Sequence, residues 1–139
     1  MEQWSALRVL AVLTAYCALS AARTECMQVV GTLQCPSEPA LAANVRMDLK
    51  DEDSLPFEID DLMGRTWSTI NGSFVLSGCG ADVGPFNVPD PYVYIEHKCP
   101  SAKYPYVVNG TRKMQFALVR TFLPSVLRIG KIFLDDSDA

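Results

Sequence analysis

Apolar and polar residues alternate along most of this chain, in runs too short for helices. In "NVRMDLK" (44–50), Val45, Met47 and Leu49 fall on one side and Arg46, Asp48 and Lys50 on the other, the period of a half-buried strand. The same reading covers "MQVVGTLQC" (27–35), "YVYIEHKC" (92–99), "KMQFALV" (113–119) and "LRIGKIFL" (127–134). "RTWSTI" and "SFVLSG" flank Asn71-Gly72. Asn-Gly tolerates positive φ at both central turn positions, so these two segments are predicted to pair as a type I′ hairpin. Helical signal is confined to a single turn at "DLMGRTW" or "RTFLPSV". About seven to eight short strands separated by turns predict an all-β fold, a two-sheet β-sandwich of about 110 residues.

The chain begins differently. Arg8 is followed by "VLAVLTAYCALSAA", an apolar run shorter than the ~20 residues a membrane span needs. Small residues, Ser20 and Ala22, close it. Residues 1–22 are expected to be a signal peptide cleaved after Ala22, leaving 23–139 as one domain. No second apolar run is long enough to cross a membrane, so the product is expected to be extracellular and secreted.

That reading settles the cysteine count. Of five cysteines, Cys17 leaves with the apolar run. Cys26, Cys35, Cys79 and Cys99 remain, an even number in an oxidising compartment, which predicts two disulfides. A zinc site would want close Cys pairs or several histidines. Cys26 and Cys35 bracket a predicted strand roughly 30 Å long, whereas bridged Cα atoms lie within about 7 Å. A Cys26–Cys35 bridge is therefore excluded, and the other two pairings stay open.

Net charge is −4, and losing Glu2 and Arg8 with the signal peptide leaves it unchanged. That argues against a nucleic-acid partner and gives no general attraction to anionic lipid.

Four groups of residues carry candidate chemistry. The lone histidine, His97, shares a strand face with Val93, Ile95 and Cys99, so it is read as framework rather than as a ligand or base. The loop "DEDSLPFEIDD" (51–61) holds six acids in eleven residues. Asp51, Glu52, Asp53, Asp60 and Asp61 are a calcium candidate because that ion takes oxygen ligands; the preferred reading is a solvated connection, so the metal assignment is none. Asn71-Gly72-Ser73 and Asn109-Gly110-Thr111 are sequons on predicted turns, making Asn71 and Asn109 candidate glycosylation sites. Tyr92, Tyr94, Tyr104 and Tyr106 offer either an outward binding face or a covered one.

A resemblance to a known family runs through these segments. The order G-x-L-x-C (Gly31, Leu33, Cys35), Pro39-Ala40, an acidic D-x-D (Asp51, Asp53) and Asp61 opens it. Thr69 and Gly72-Ser73-Phe74 follow, then Pro91-Tyr92, H-x-C (His97, Cys99), and I-G-x-x-x-L (Ile129, Gly130, Leu134). Together they resemble the transthyretin-like family of nematodes over essentially the whole chain after residue 22. The resemblance implies a secreted, transthyretin-type (prealbumin-like) sandwich and a Cys35–Cys99 bridge, which leaves Cys26–Cys79. Enzymatic relatives of transthyretin hydrolyse 5-hydroxyisourate with two histidines, an arginine and a terminal Tyr-Arg-Gly-Ser, but this chain has one histidine and ends in "DDSDA". The expectation is therefore a non-catalytic extracellular interaction module without cofactor, monomeric or dimeric, with an unidentified extracellular or cell-surface partner. The alternative is a small-ligand carrier related to transthyretin; a 5-hydroxyisourate hydrolase-type enzyme comes third.

Overall fold

The computed structural model describes residues 2–19, 22–53, 57–83, 88–103 and 110–136. One α-helix, α1 (Glu2–Leu19), is followed by seven strands and two short 3-10 turns, Pro39–Ala42 and Leu134–Asp136, among the described residues. They are β1 (Ala22–Gln34), β2 (Arg46–Asp51), β3 (Asp61–Trp67), β4 (Ser73–Val83), β5 (Pro91–His97), β6 (Arg112–Ala117) and β7 (Leu127–Phe133). In α1 the large apolar side chains Trp4, Leu7, Leu10 and Leu13 are exposed. No helix among the described residues is long and apolar enough to cross a membrane.

The strands form two sheets. The first has three strands in the order β4-β1-β7, the second four in the order β3-β2-β5-β6. β1 is the centre of the first sheet, antiparallel to β4 and parallel to β7. The second sheet is antiparallel throughout. Alternation places one set of side chains between the sheets: Met27, Val29 and Leu33 of β1, Met47 and Leu49 of β2, Leu76 of β4, and Val93 and Ile95 of β5 are all buried. Sequestering these aliphatic surfaces from water is what holds two sheets face to face.

Two sequence-based expectations fail. The segments flanking Asn71-Gly72 do not pair with each other: β3 joins β2 in the second sheet and β4 joins β1 in the first. The turn itself exists, with Gly72 N–H donating to Thr69 O at 2.9 Å and Thr69 N–H to Ser73 O at 2.8 Å. However, Gly72 alone of the two has positive φ, at 81°, so the two-residue type I′ geometry is absent. The corner is pinned instead by Leu33 N–H, which donates to Gly72 O at 2.8 Å. "DLMGRTW" is not helical either. It is β3, drawn into the second sheet by antiparallel pairing with β2. In "RTFLPSV" the chain makes a turn in which Ser125 N–H donates to Phe122 O, without a helix.

The two sheets meet most tightly where β3 crosses β4. A Cβ added at Gly64 would lie 2.0 Å from Ser77 O, and one at Gly78 would lie 2.5 Å from Met63 O. Two glycines thus let two backbones touch, the close approach for which a strand glycine is suited. This side of the sandwich is sealed.

Candidate functional site

The opposite side is open. Among the described residues the first sheet has one strand fewer than the second, and β6 and β7, at the edges of the two sheets, flank a cleft of about 910 Å³. Met114 and Phe116 of β6 project into it from one wall; Leu127, Ile129 and Ile132 of β7 form the other. All five pack against the core yet are only partly buried, unlike the fully covered Met47, Leu49, Val93 and Ile95 of the inner strands. Lys113, Gln115 and Tyr94 line the cleft on the second sheet, and Lys131 lines it on β7. A concave, mainly apolar site with a few polar groups is the usual form of a small-molecule pocket, and its size falls within the ~300–1,000 Å³ such sites span.

Two disulfides cross-link the sandwich that carries this cleft. Cys26 and Cys79 are directly opposed on β1 and β4 and are bonded to each other, with Cα atoms 4.0 Å apart. Cys35, just past β1, is bonded to Cys99, just past β5, at a Cα separation of 5.8 Å. This second disulfide ties one sheet to the other, and both of its cysteines are buried. Beside it Arg112 Nη1 donates to Cys99 O at 3.0 Å and to Leu134 O at 3.4 Å.

His97 belongs to the same corner. Its ring is buried, and Nδ1 accepts the Cys99 backbone N–H at 3.1 Å. Burial, with a smaller contribution from the nearby Arg112 charge, lowers its pKa from 6.5 to about 4. The neutral imidazole orders the strand end that carries Cys99. Between those two pH values the unfolded chain binds a proton that the folded chain excludes. The contribution of His97 to stability is therefore constant above pH 6.5 and falls as the pH drops towards 4, by up to about 3 kcal/mol in all. His97→Gln is expected to abolish that slope in urea titrations run across the window, while lowering the plateau modestly. An unchanged slope in the variant would remove His97 as its source.

The outward face of the second sheet is covered by paired charges. Asp48 is on this face, yet it is 2% exposed because Arg65 lies over it. Arg65 Nε and Nη2 donate to its two oxygens at 2.6 and 2.9 Å. That bidentate contact outweighs burial and holds the Asp48 carboxyl below its usual pKa. Arg46 Nη2 lies 3.1 Å from Glu96 Oε1. Tyr94 donates its hydroxyl to Glu96 at 2.9 Å, and Lys50 Nζ sits 5.1 Å from the centre of its ring. Tyr92 donates to Asp60 Oδ2 at 2.5 Å. These two tyrosines are therefore half-buried members of a hydrogen-bonded surface. Tyr104 and Tyr106 lie outside the described residues.

The acidic loop uses its carboxylates locally. Asp51 is buried and accepts the Asp90 N–H at 2.7 Å. Asp60 accepts from Tyr92 and from the Asp53 N–H, and these bonds, the Tyr92 one foremost, lower its pKa. Asp51, Asp53, Asp60 and Asp61 are not brought together as a metal-holding group; no such group of His, Cys, Asp or Glu occurs among the described residues. Asn71 is exposed at the tip of the β3–β4 corner. Asn109 lies outside the described residues.

A model of the Transthyretin-like family, TTR-52, matches residues 30–118, which hold β2 to β6 entire and the end of β1. The chain belongs to the Transthyretin-like family. Transthyretin-like protein 46 of Caenorhabditis elegans, from the same family by name, is 35% identical over 119 residues, 85% of this chain. The chain spans 62% of the length of that relative. Among solved structures, part of a 9R-lipoxygenase from Cyanothece PCC8801 superposes with a TM-score of 0.50 at 13% identity, over 80% of this chain and 17% of that one. That likeness is one of fold alone. The Transthyretin-like match ends at residue 118, so one wall of the cleft, β7, lies beyond it.

The cleft is what reading the sequence missed. Alternation in "KMQFALV" assigns Met114 and Phe116 to the inward face of a strand. It carries no signal for how many strands the facing sheet has.

Proposed function

We propose that this protein is a secreted, non-catalytic binding protein whose binding site is the cleft between β6 and β7. The observation that carries the reading is that a cavity of about 910 Å³ with apolar walls sits at the open edge of a sandwich cross-linked by two disulfides. A cleft held by a stiff frame needs little ordering on binding, which favours affinity for a small ligand. Export is supported by the exposed apolar helix α1 ahead of a cysteine-bridged domain. Residues 1–22 are then the signal peptide and 23–139 the released domain. The environment of His97 supports a structural rather than a proton-transfer role, since Nδ1 is engaged with Cys99 and the imidazole is held neutral by burial.

The test uses protein recovered from the medium of a secreting host, with its N-terminus expected at Arg23. A neutral, environment-sensitive dye such as Nile red is expected to bind with a fluorescence increase. Ile129→Trp, which fills the cleft from β7, should weaken that binding about tenfold or more. Dye binding that is absent, or that survives Ile129→Trp in a folded protein, would refute the cleft as the binding site.

A further inference from the structure

The charge distribution around the cleft says more about its ligand than its shape does. The chain is acidic, with 16 Asp and Glu against 12 Lys and Arg. Yet the cleft is lined by two lysines and by no carboxylate among the described residues. Several cations elsewhere on the domain are engaged. Arg65 is paired with Asp48, Arg46 with Glu96 and Arg120 with Asp90, and Lys50 lies over the Tyr94 ring. Lys113 and Lys131 make no ion pair among the described residues. They stand on the two strands that form the walls, both exposed, Lys113 opposite Glu96 of β5 and Lys131 opposite Thr32 of β1.

An apolar trough with two uncommitted cations and no anion is complementary to one kind of molecule: an alkyl chain ending in a negative charge. Resting on the reading of the cleft as the binding site, we propose that its ligand is a fatty acid. The alkyl chain lies between Met114 and Phe116 on one side and Leu127, Ile129 and Ile132 on the other. The carboxylate is met by Lys113 and Lys131. Gln115 offers an amide as a further donor at the same wall. A lysine on each edge strand also deters pairing with another chain, and the experiment below separates that role from ligand binding.

Displacement of the neutral dye from the full secreted protein is measured with decanoate and with decanol, which share a chain and differ in head group. Decanoate is expected to bind about five- to tenfold more tightly, the effect of two partly exposed ion pairs. The double variant Lys113→Gln/Lys131→Gln should retain dye and decanol affinity and lose the preference for decanoate. Equal affinities in the native protein, or a preference unchanged in the double variant, would overturn the fatty-acid assignment while leaving the cleft in place. Failure of both probes to displace a dye that does bind would overturn it in the same way. Failure of the dye itself to bind would remove the cleft reading and the assignment with it. A double variant that becomes dimeric in sedimentation, with its decanoate preference intact, would assign the lysines to keeping copies apart.

Discussion

Replacing Cys35 and Cys99 together by alanine is expected to lower the free energy of unfolding by about 4 kcal/mol, as the chain-entropy account gives for a bridge of this span. The two residues are 64 positions apart and their bond joins the two sheets, so its loss frees most of the domain in the unfolded state. Domains of this size are stable by about 5–15 kcal/mol, and a loss of that order leaves a marginal protein. The Cys26–Cys79 bridge spans 53 positions, and span alone would rank the two nearly alike. It differs in lying within one sheet, where eleven residues of β1 are already in register with β4, and its cysteines are less buried than Cys35 and Cys99. Removing it should cost the same unfolded-state entropy without opening the core between the sheets. Urea unfolding of the two double variants is the measurement. A Cys35/Cys99 variant as stable as the native protein would contradict the assignment of that bridge as the principal tie between sheets.

Gly64→Ala is expected to be as damaging, by about 3 kcal/mol or more, though it adds one methyl group. The new Cβ would lie 2.0 Å from the carbonyl oxygen of Ser77. A backbone oxygen cannot swing aside as a side chain does, so β3 and β4 would have to separate. Gly130→Ala is a useful control. It has positive φ, at 70°, but open space around it, so its cost is backbone strain alone, of the order of 1 kcal/mol. Thermal unfolding of both variants compares the two mechanisms. A Gly64→Ala protein no less stable than Gly130→Ala would show that the backbones do not touch as described.

What reading the sequence found, and what it missed, follow from the range over which each signal acts. Val45, Met47 and Leu49 announce a strand face because period-two alternation is local, and β2 occupies that segment with Met47 and Leu49 buried. The even number of cysteines in 23–139 is likewise plain, and the structure contains two disulfides. Asn71-Gly72 marks a turn, and a turn is there. Whether the two segments leaving it pair or part is decided by β1 and β2, distant in sequence, which compete for them. Asp48 alternates outward and reads as solvated. Its burial depends on Arg65 reaching across from β3, and alternation gives direction without telling what covers a side chain. The cleft is the extreme case. Its walls come from β6 and β7, which belong to different sheets, and no single segment encodes how two sheet edges face each other.

β1 has a consequence for how the domain comes into being. It is the middle strand of its sheet, yet its neighbours are β4 at 73–83 and β7 at 127–133. A ribosome delivers β1 early and β7 last, with most of the chain between them. For much of synthesis the first-made strand has one bare flank, and its parallel partner is about a hundred residues away. Folding dominated by such distant pairings is slow, and an unpaired strand edge in a nascent chain is open to pairing with other chains. Until β7 docks, that flank of β1 has no partner within its own sheet.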